Sequence, residues 1–208
     1  MDQLLDMLLA ANDLKVTPRS GWVLRGVPEA ESVADHSYGV AVLALALAAA
    51  IEAEGPAGAL GAPGDDAMAF DRGALLSMAL LHDLAECRVG DLPRPARRYF
   101  AEGAKHAAEE AALADLLGDL PGSGELLATW QAYEAAASPE ARLVRDADRL
   151  ETLLQAYVYA RRTGNRELAE FWDELPGPGG FAYPASAALY RALRDRYDRI
   201  DERASPQT

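Results

Sequence analysis

The chain has 208 residues, half of them hydrophobic, with a formal net charge of −13 and one cysteine. That length suits one domain with a sizeable core, and the acidity argues against a nucleic-acid binder, which needs basic patches. Cys87 alone rules out an internal disulfide and suits a reducing compartment, and any anionic ligand needs positive charge gathered locally by a metal ion or a few arginines.

Asp2–Asn12 carries Leu4, Leu5, Met7, Leu8 and Leu9 and reads as a short amphipathic helix. Leu14–Val33 is punctuated by Pro18, Gly21, Gly26 and Pro28 and reads as irregular. Its Lys15, Arg19, Trp22 and Arg25 form either an anion and ring-stacking site or a core tryptophan among solvated arginines. Ser32 caps a helix running to about Glu54, in which His36, Val40, Leu43 and Leu47 share one face and turn His36 inward. The apolar run Ala41–Ile51 is too short to span a bilayer, and the N-terminus does not read as a secretory signal. A cytoplasmic protein with no membrane partner is expected. Gly55–Asp66 reads as a surface loop.

A central helix is expected over Asp71–Arg88. Its last part holds His82, Asp83 and Glu86, with Asp91 just beyond. Helical offsets put Glu86 on the same side as His82 and Asp83, and Gly90 ends the helix. Ionisable groups after so apolar a run need partners or a metal. Asp91, Leu92, Pro93 and Arg94, followed by Arg97 and Arg98, set positive charge beside these acids. Helices follow over Ala101–Leu117, where His106 is expected at the surface without a role, and Gly124–Ala137. Ser138 and Pro139 start another helix. Its inward stripe is Leu143, Ala147, Leu150 and Leu154, with Val144, Asp148, Glu151 and Gln155 beside it. Asp148 then sits at the core edge and Asp146 in solvent. Pro176–Gly180 breaks the chain. A last helix, about 185–203, covers the bundle or meets a partner chain, so a homodimer is expected. No strand pattern appears: the fold class is all-α, one domain over 1–208 with its core at about 14–160.

His36, His82, Asp83 and Asp148 supply two imidazoles and two carboxylates from three helices. That donor set suits manganese, iron, cobalt or zinc better than magnesium. Glu86 and Asp91 stand near enough to orient a water and manage protons. A cysteine phosphatase is excluded: six residues separate Cys87 from Arg94, and Asp91 among them repels phosphate. A two-iron centre needs more ligands, and only His106 remains.

The ordered pattern His36, His82-Asp83, Asp148 resembles the signature of HD-domain metal-dependent phosphohydrolases. Lys15–Val23, Glu31–Ser37, His82–Glu86 with Gly90–Pro93, and Leu143–Arg145 leading to Asp148 are similar to the 5′-deoxynucleotidase branch, from about Leu14 to Tyr159. The resemblance implies a single HD-domain helical bundle. It implies a divalent ion, manganese or cobalt foremost with magnesium, iron or zinc open, on His36, His82, Asp83 and Asp148. It gives Glu86 the attacking water and Asp91 a part in proton transfer, with both also candidates for a second ion. Asp91, Leu92, Pro93 and Arg94 would lie against the nucleotide, Arg19 on the phosphate, and Trp22 on the sugar where a 2′-hydroxyl would sit. Ser20 and Gly21 separate Arg19 from Trp22, whereas the two are adjacent in part of the family, so Arg25 stays an alternative. The implied reaction is hydrolysis of a 2′-deoxyribonucleoside 5′-monophosphate, a small-molecule substrate, to deoxynucleoside and phosphate. Another HD-type phosphohydrolase, such as a phosphodiesterase, and a non-catalytic nucleotide-binding module are the rival readings.

Overall fold

The computed structural model describes residues 1–55, 69–174 and 177–204. Apart from Gly55, the expected loop Gly55–Asp66 lies outside the described residues. Eleven α-helices are described: α1 Asp2–Asp13, α2 Ser20–Leu24, α3 Val33–Glu54, α4 Arg72–Leu81, α5 Glu86–Val89, α6 Arg94–Arg97, α7 Ala104–Leu117, α8 Ser123–Glu134, α9 Pro139–Thr163, α10 Glu170–Glu174 and α11 Pro184–Ala204. An isolated bridge between Pro18 and Ser32 is the one β pairing among the described residues.

Local chemistry sets the long helices. The Ser32 hydroxyl accepts the Asp35 N–H while the Asp35 carboxylate accepts the Ser32 N–H, a reciprocal cap that starts α3. Ser138 accepts the Ala141 N–H, Pro139 opens α9, and Gly164 closes it at φ +69°. These two helices pack on each other and on α4, and α11 lies across α9 and α3. α3 is 22 residues long, well beyond the Ala41–Ile51 run, and by length and composition alone it could cross a membrane. Here Val40, Ala44, Leu47, Ala48 and Ile51 are buried against the rest of the bundle, as in a core helix.

Covered by α3, α4, α8 and α11, α9 buries a wider face than a single stripe. Leu143, Val144, Ala147, Leu150 and Leu153 are almost fully enclosed, whereas Leu154 is 43% exposed, against expectation. Asp146 also departs from expectation, being 1% exposed. Its carboxylate accepts the N–H groups of Ala182 (3.0 Å) and Tyr183 (3.1 Å), tying the segment before α11 to α9.

The expected single helix over Asp71–Arg88 is interrupted. After α4 the backbone bonds tighten from i−4 to i−3: Leu84 N–H to Leu81 O, Glu86 N–H to Asp83 O. The His82 carbonyl instead accepts the indole N–H of Trp130 from α8 at 3.2 Å. The break falls at a seam. Met78 and Ala79 belong to the main apolar cluster, while Leu81, Leu84 and Ala85 belong to a second cluster around Ala10, Leu113, Leu117 and Trp130. His82 and Asp83 therefore leave the core at the junction of two packed bodies.

Candidate active site

His36 lies one turn into α3 and is fully buried. Its Nδ1 is 2.5 Å from Glu151 Oε2 and its Nε2 is 3.1 Å from Asp148 Oδ1, both on α9. Asp83 Oδ2 is 3.8 Å from the same Nε2. At His82, Nδ1 donates to the Ala79 carbonyl at 2.8 Å. Because a carbonyl only accepts, Nδ1 carries a proton, which leaves Nε2 as the ring nitrogen able to offer a lone pair to a metal. That Nε2 is buried, lacks a hydrogen-bond partner, and stands 3.2 Å from Asp83 Oδ2. The structure thus brings His36, His82, Asp83 and Asp148 together from α3, the turn after α4, and α9.

These donors fit a divalent cation. Candidate ligand atoms of His36, His82 and Asp148 lie within 4.8 Å of one another, and a buried imidazole nitrogen without a hydrogen-bond partner is costly unless something binds it. The charges agree. Burial and Arg19 oppose a charged imidazole at His36, yet Asp148 and Glu151 outweigh them and raise its pKa to about 10. Burial also opposes ionisation of Asp83, but His82 and Arg19 hold it well below the usual carboxylate range. Such a field calls for positive charge. Arg19 supplies some: its Nη1 is 2.9 Å from Asp83, 3.8 Å from Asp91 and 4.0 Å from Glu86.

Glu86 starts α5 beside this group and is buried, with Oε2 unpartnered. Burial, then the charges of Asp83 and Asp91, push its pKa up to about 9. Asp91 is held by Ser20, whose N–H and hydroxyl reach Asp91 Oδ2 at 2.6 and 2.8 Å. Sequence reasoning treated Ser20 only as an interruption between Arg19 and Trp22. Here it starts α2 and fixes the loop that carries Asp91.

A cavity of about 550 Å³ opens over these groups. Leu92, Pro93 and Arg94 line it, as do Arg19, Trp22 and Arg25. Trp22 is 2% exposed, its N–H donates to Glu31 Oε1 at 2.8 Å, and Phe171 covers it at 4.2 Å. Trp22 packs in the core and forms part of the cavity wall, but the arginines near it are not solvated as the core reading had them: Arg25 is buried and Arg19 pairs with Asp83. Arg25 pairs with Glu170 at 2.7 Å and lies over Phe171. His106 also lines the cavity; it is exposed, as expected, and stacks on Trp130 at 5.2 Å while standing 3.2 Å from Glu134. Sequence reasoning also missed Tyr133, Arg145 and Arg149 in the wall. Arg145 and Arg149 flank Asp148 on α9, a spacing that hinted at one basic rim.

A model of the HD domain matches residues 11–174. The chain belongs to the HD-domain family. Human 5′-deoxynucleotidase HDDC2 is 36% identical over 195 residues, covering 91% of this chain and 84% of that protein. Zebrafish (Danio rerio) 5′-deoxynucleotidase HDDC2 is 32% identical over 202 residues, covering 96% and 90%. Among solved structures, a Pyrococcus horikoshii OT3 protein matches with a TM-score of 0.72 at 34% identity, over 94% of this chain and 99% of that one. The HD-domain match spans α2 to α9 entirely, and so takes in every residue of the cluster.

Proposed function

We propose that this HD-domain protein is a metal-dependent 5′-deoxynucleotidase, hydrolysing 2′-deoxyribonucleoside 5′-monophosphates to deoxynucleoside and phosphate. The observation that carries this reading is the convergence of His36, His82, Asp83 and Asp148 beside the buried carboxyl of Glu86. The two deoxynucleotidases, each similar over most of this chain, support the same substrate class.

In this reading His36, His82, Asp83 and Asp148 hold the ion, manganese or cobalt. A divalent ion there supplies Lewis acidity toward a phosphoryl oxygen and makes a water more acidic. Glu86 would take a proton from the attacking water as a carboxylate, the form that a divalent ion beside it favours over the neutral acid. As water oxygen bonds to phosphorus, the bond from phosphorus to O5′ breaks. Asp91, fixed by Ser20, takes part in passing the proton on toward that leaving oxygen. Arg19, 2.9 Å from Asp83, offers the phosphate a permanent positive charge beside the metal ligands, whereas Arg25 places its charge against Glu170. Leu92, Pro93 and Arg94 lie against the nucleotide. Trp22, held by Glu31 and Phe171, would meet the sugar on the side where a 2′-hydroxyl would sit.

The reading includes a cytoplasmic protein without membrane or nucleic-acid partners, supported by the acidic charge and the single thiol, and a homodimer. The apolar face of α11 is used within the chain, where Leu193 and Tyr197 are buried. Support for a dimer comes instead from Leu5, Leu8 and Leu9, exposed together on α1.

Phosphate release from deoxyribonucleotides, ribonucleotides and cyclic dinucleotides, measured with Mn²⁺ or Co²⁺ alongside metal analysis, tests the proposal. Deoxymonophosphates should react fastest. Equal or faster opening of a cyclic diester favours a phosphodiesterase, and no release with any metal favours a binding module.

A further inference from the structure

We infer that Glu151 and Gly39 are positioning residues of the metal centre: Glu151 holds the His36 ring with Nε2 turned to the ion, and Gly39 keeps open the space Glu151 needs. The inference rests on the metal reading above and goes beyond its four ligands.

The two nitrogens that must be fixed are fixed differently. At His82 the backbone does it, through the Ala79 carbonyl in the last turn of α4. At His36 a side chain from another helix does it, Glu151 of α9 at 2.5 Å from Nδ1. Glu151 and His36, with Glu31, also form a group able to hold an ion. The separation decides between the two uses. Metal bonds of about 2.0–2.2 Å at roughly a right angle set nitrogen and oxygen about 3 Å apart. Only a proton fits in 2.5 Å. The carboxylate therefore accepts Nδ1–H, which leaves Nε2 as the ligating atom and makes it more basic.

Gly39 supplies an independent observation. It lies inside α3, three residues after His36, where glycine costs about 1 kcal/mol relative to alanine. Its φ is not positive, so backbone conformation does not require it. Space does. A Cβ there would fall 2.8 Å from both Cγ and Oε1 of Glu151 and 3.1 Å from Cδ. The Glu151 side chain crosses α3 over this glycine to reach His36 on the preceding turn. Because Glu151 is buried, it cannot give way without withdrawing its carboxylate.

Calorimetric titration of the metal-stripped full chain with Co²⁺ and with Mn²⁺ tests this, for the parent, Glu151→Ala, Glu151→Gln, Gly39→Ala and the double Gly39→Ala/Glu151→Ala variant, with helical circular dichroism confirming each fold. Glu151→Ala should weaken binding about 10–100-fold, the range for a residue that orients a metal-binding histidine. Gly39→Ala should also weaken it, yet add less than about threefold once Glu151 is alanine, since it acts only through that side chain. Glu151→Gln, whose amide oxygen still accepts Nδ1–H, should recover part of the affinity. Glu151→Ala binding within about threefold of the parent overturns the inference, as does an undiminished Gly39→Ala effect in the double variant. Should Glu151→Ala not fold, parent-like affinity in Gly39→Ala overturns it. A parent chain that binds neither ion overturns the metal reading and this inference together, whereas a binding parent with unaffected variants overturns this inference alone.

Discussion

Asp146 and Asp148 stand two residues apart on α9, and substituting each by alanine should produce opposite losses. Asp146 is enclosed and accepts the Ala182 and Tyr183 N–H groups at 3.0 and 3.1 Å. Hydrogen bonds to a charged group contribute about 1.5–3 kcal/mol each. Two give about 3–6 kcal/mol, but burial of the carboxylate offsets part of this. Burial pushes the Asp146 pKa up despite the backbone N–H groups, so the site does not favour charge outright. A net cost of about 2–4 kcal/mol follows, and for a chain of this size that lowers Tm by about 5–15 °C. Metal affinity should stay near the parent's, because Asp146 points toward the segment before α11.

Asp148 is 32% exposed at its side chain and meets His36 Nε2 at 3.1 Å. Its removal should reduce Co²⁺ affinity by more than about 100-fold, exceeding the loss typical of residues behind the ligands. A metal at about 1,000 times its Kd adds about 4 kcal/mol to stability. That increment should persist in Asp146→Ala and fall to about 1.4 kcal/mol or less in Asp148→Ala, whose site is then at no more than about 10 times its Kd. Thermal unfolding with chelator and again with Co²⁺ reads both. A Tm for Asp146→Ala within about 2 °C of the parent, or a Co²⁺-linked rise in Asp148→Ala as large as the parent's, would refute the assignment of the two roles.

Glu86→Gln should bind Co²⁺ as the parent does and lose about 10²–10⁴-fold in kcat, the usual contribution of a positioned acid or base; single-turnover phosphate release checks it. Glu31 bears on pH. Burial, then the Glu151 charge, raise its pKa to about 7, against the indole N–H of Trp22. The folded chain keeps a proton that the unfolded chain releases above about 4.5. Stability of the chelated protein should thus fall as pH rises from about 4.5 to 7, with a slope of at most about 1.4 kcal/mol per pH unit from this group, and Glu31→Gln should remove that component in urea titrations. Leu153→Ala should cost about 2–5 kcal/mol in urea unfolding, and Leu154→Ala about 0.5 kcal/mol, since only Leu153 is enclosed.

Much of the architecture was legible because its signals are local. The Ser32 and Ser138 caps, Pro139 and the periodic leucines each act within a few residues, and α3 and α9 begin where those residues say. The break after Leu81 was not legible. It depends on the Trp130 indole taking the His82 carbonyl, a contact across 48 residues. Leu154 was misplaced for a related reason. A single-stripe reading of α9 assumes one covering neighbour, and α9 has several. The grouping of the cluster residues was legible through residue type and order. The partners that orient them were not, since Ser20, Glu151 and Gly39 are ordinary residues until the fold gives them something to touch.

From the sequence alone came the helices, the inward turn of His36, and a set of nitrogen and oxygen donors suited to a divalent ion, because these follow from periodicity, capping and donor chemistry. Tertiary structure alone decided that Asp146 anchors a chain segment, that Trp22 packs in a wall, that Arg19 lies among three acids, and that a glycine in α3 makes room for a carboxylate. Each of these depends on distances between residues remote along the chain, and only packing sets those distances.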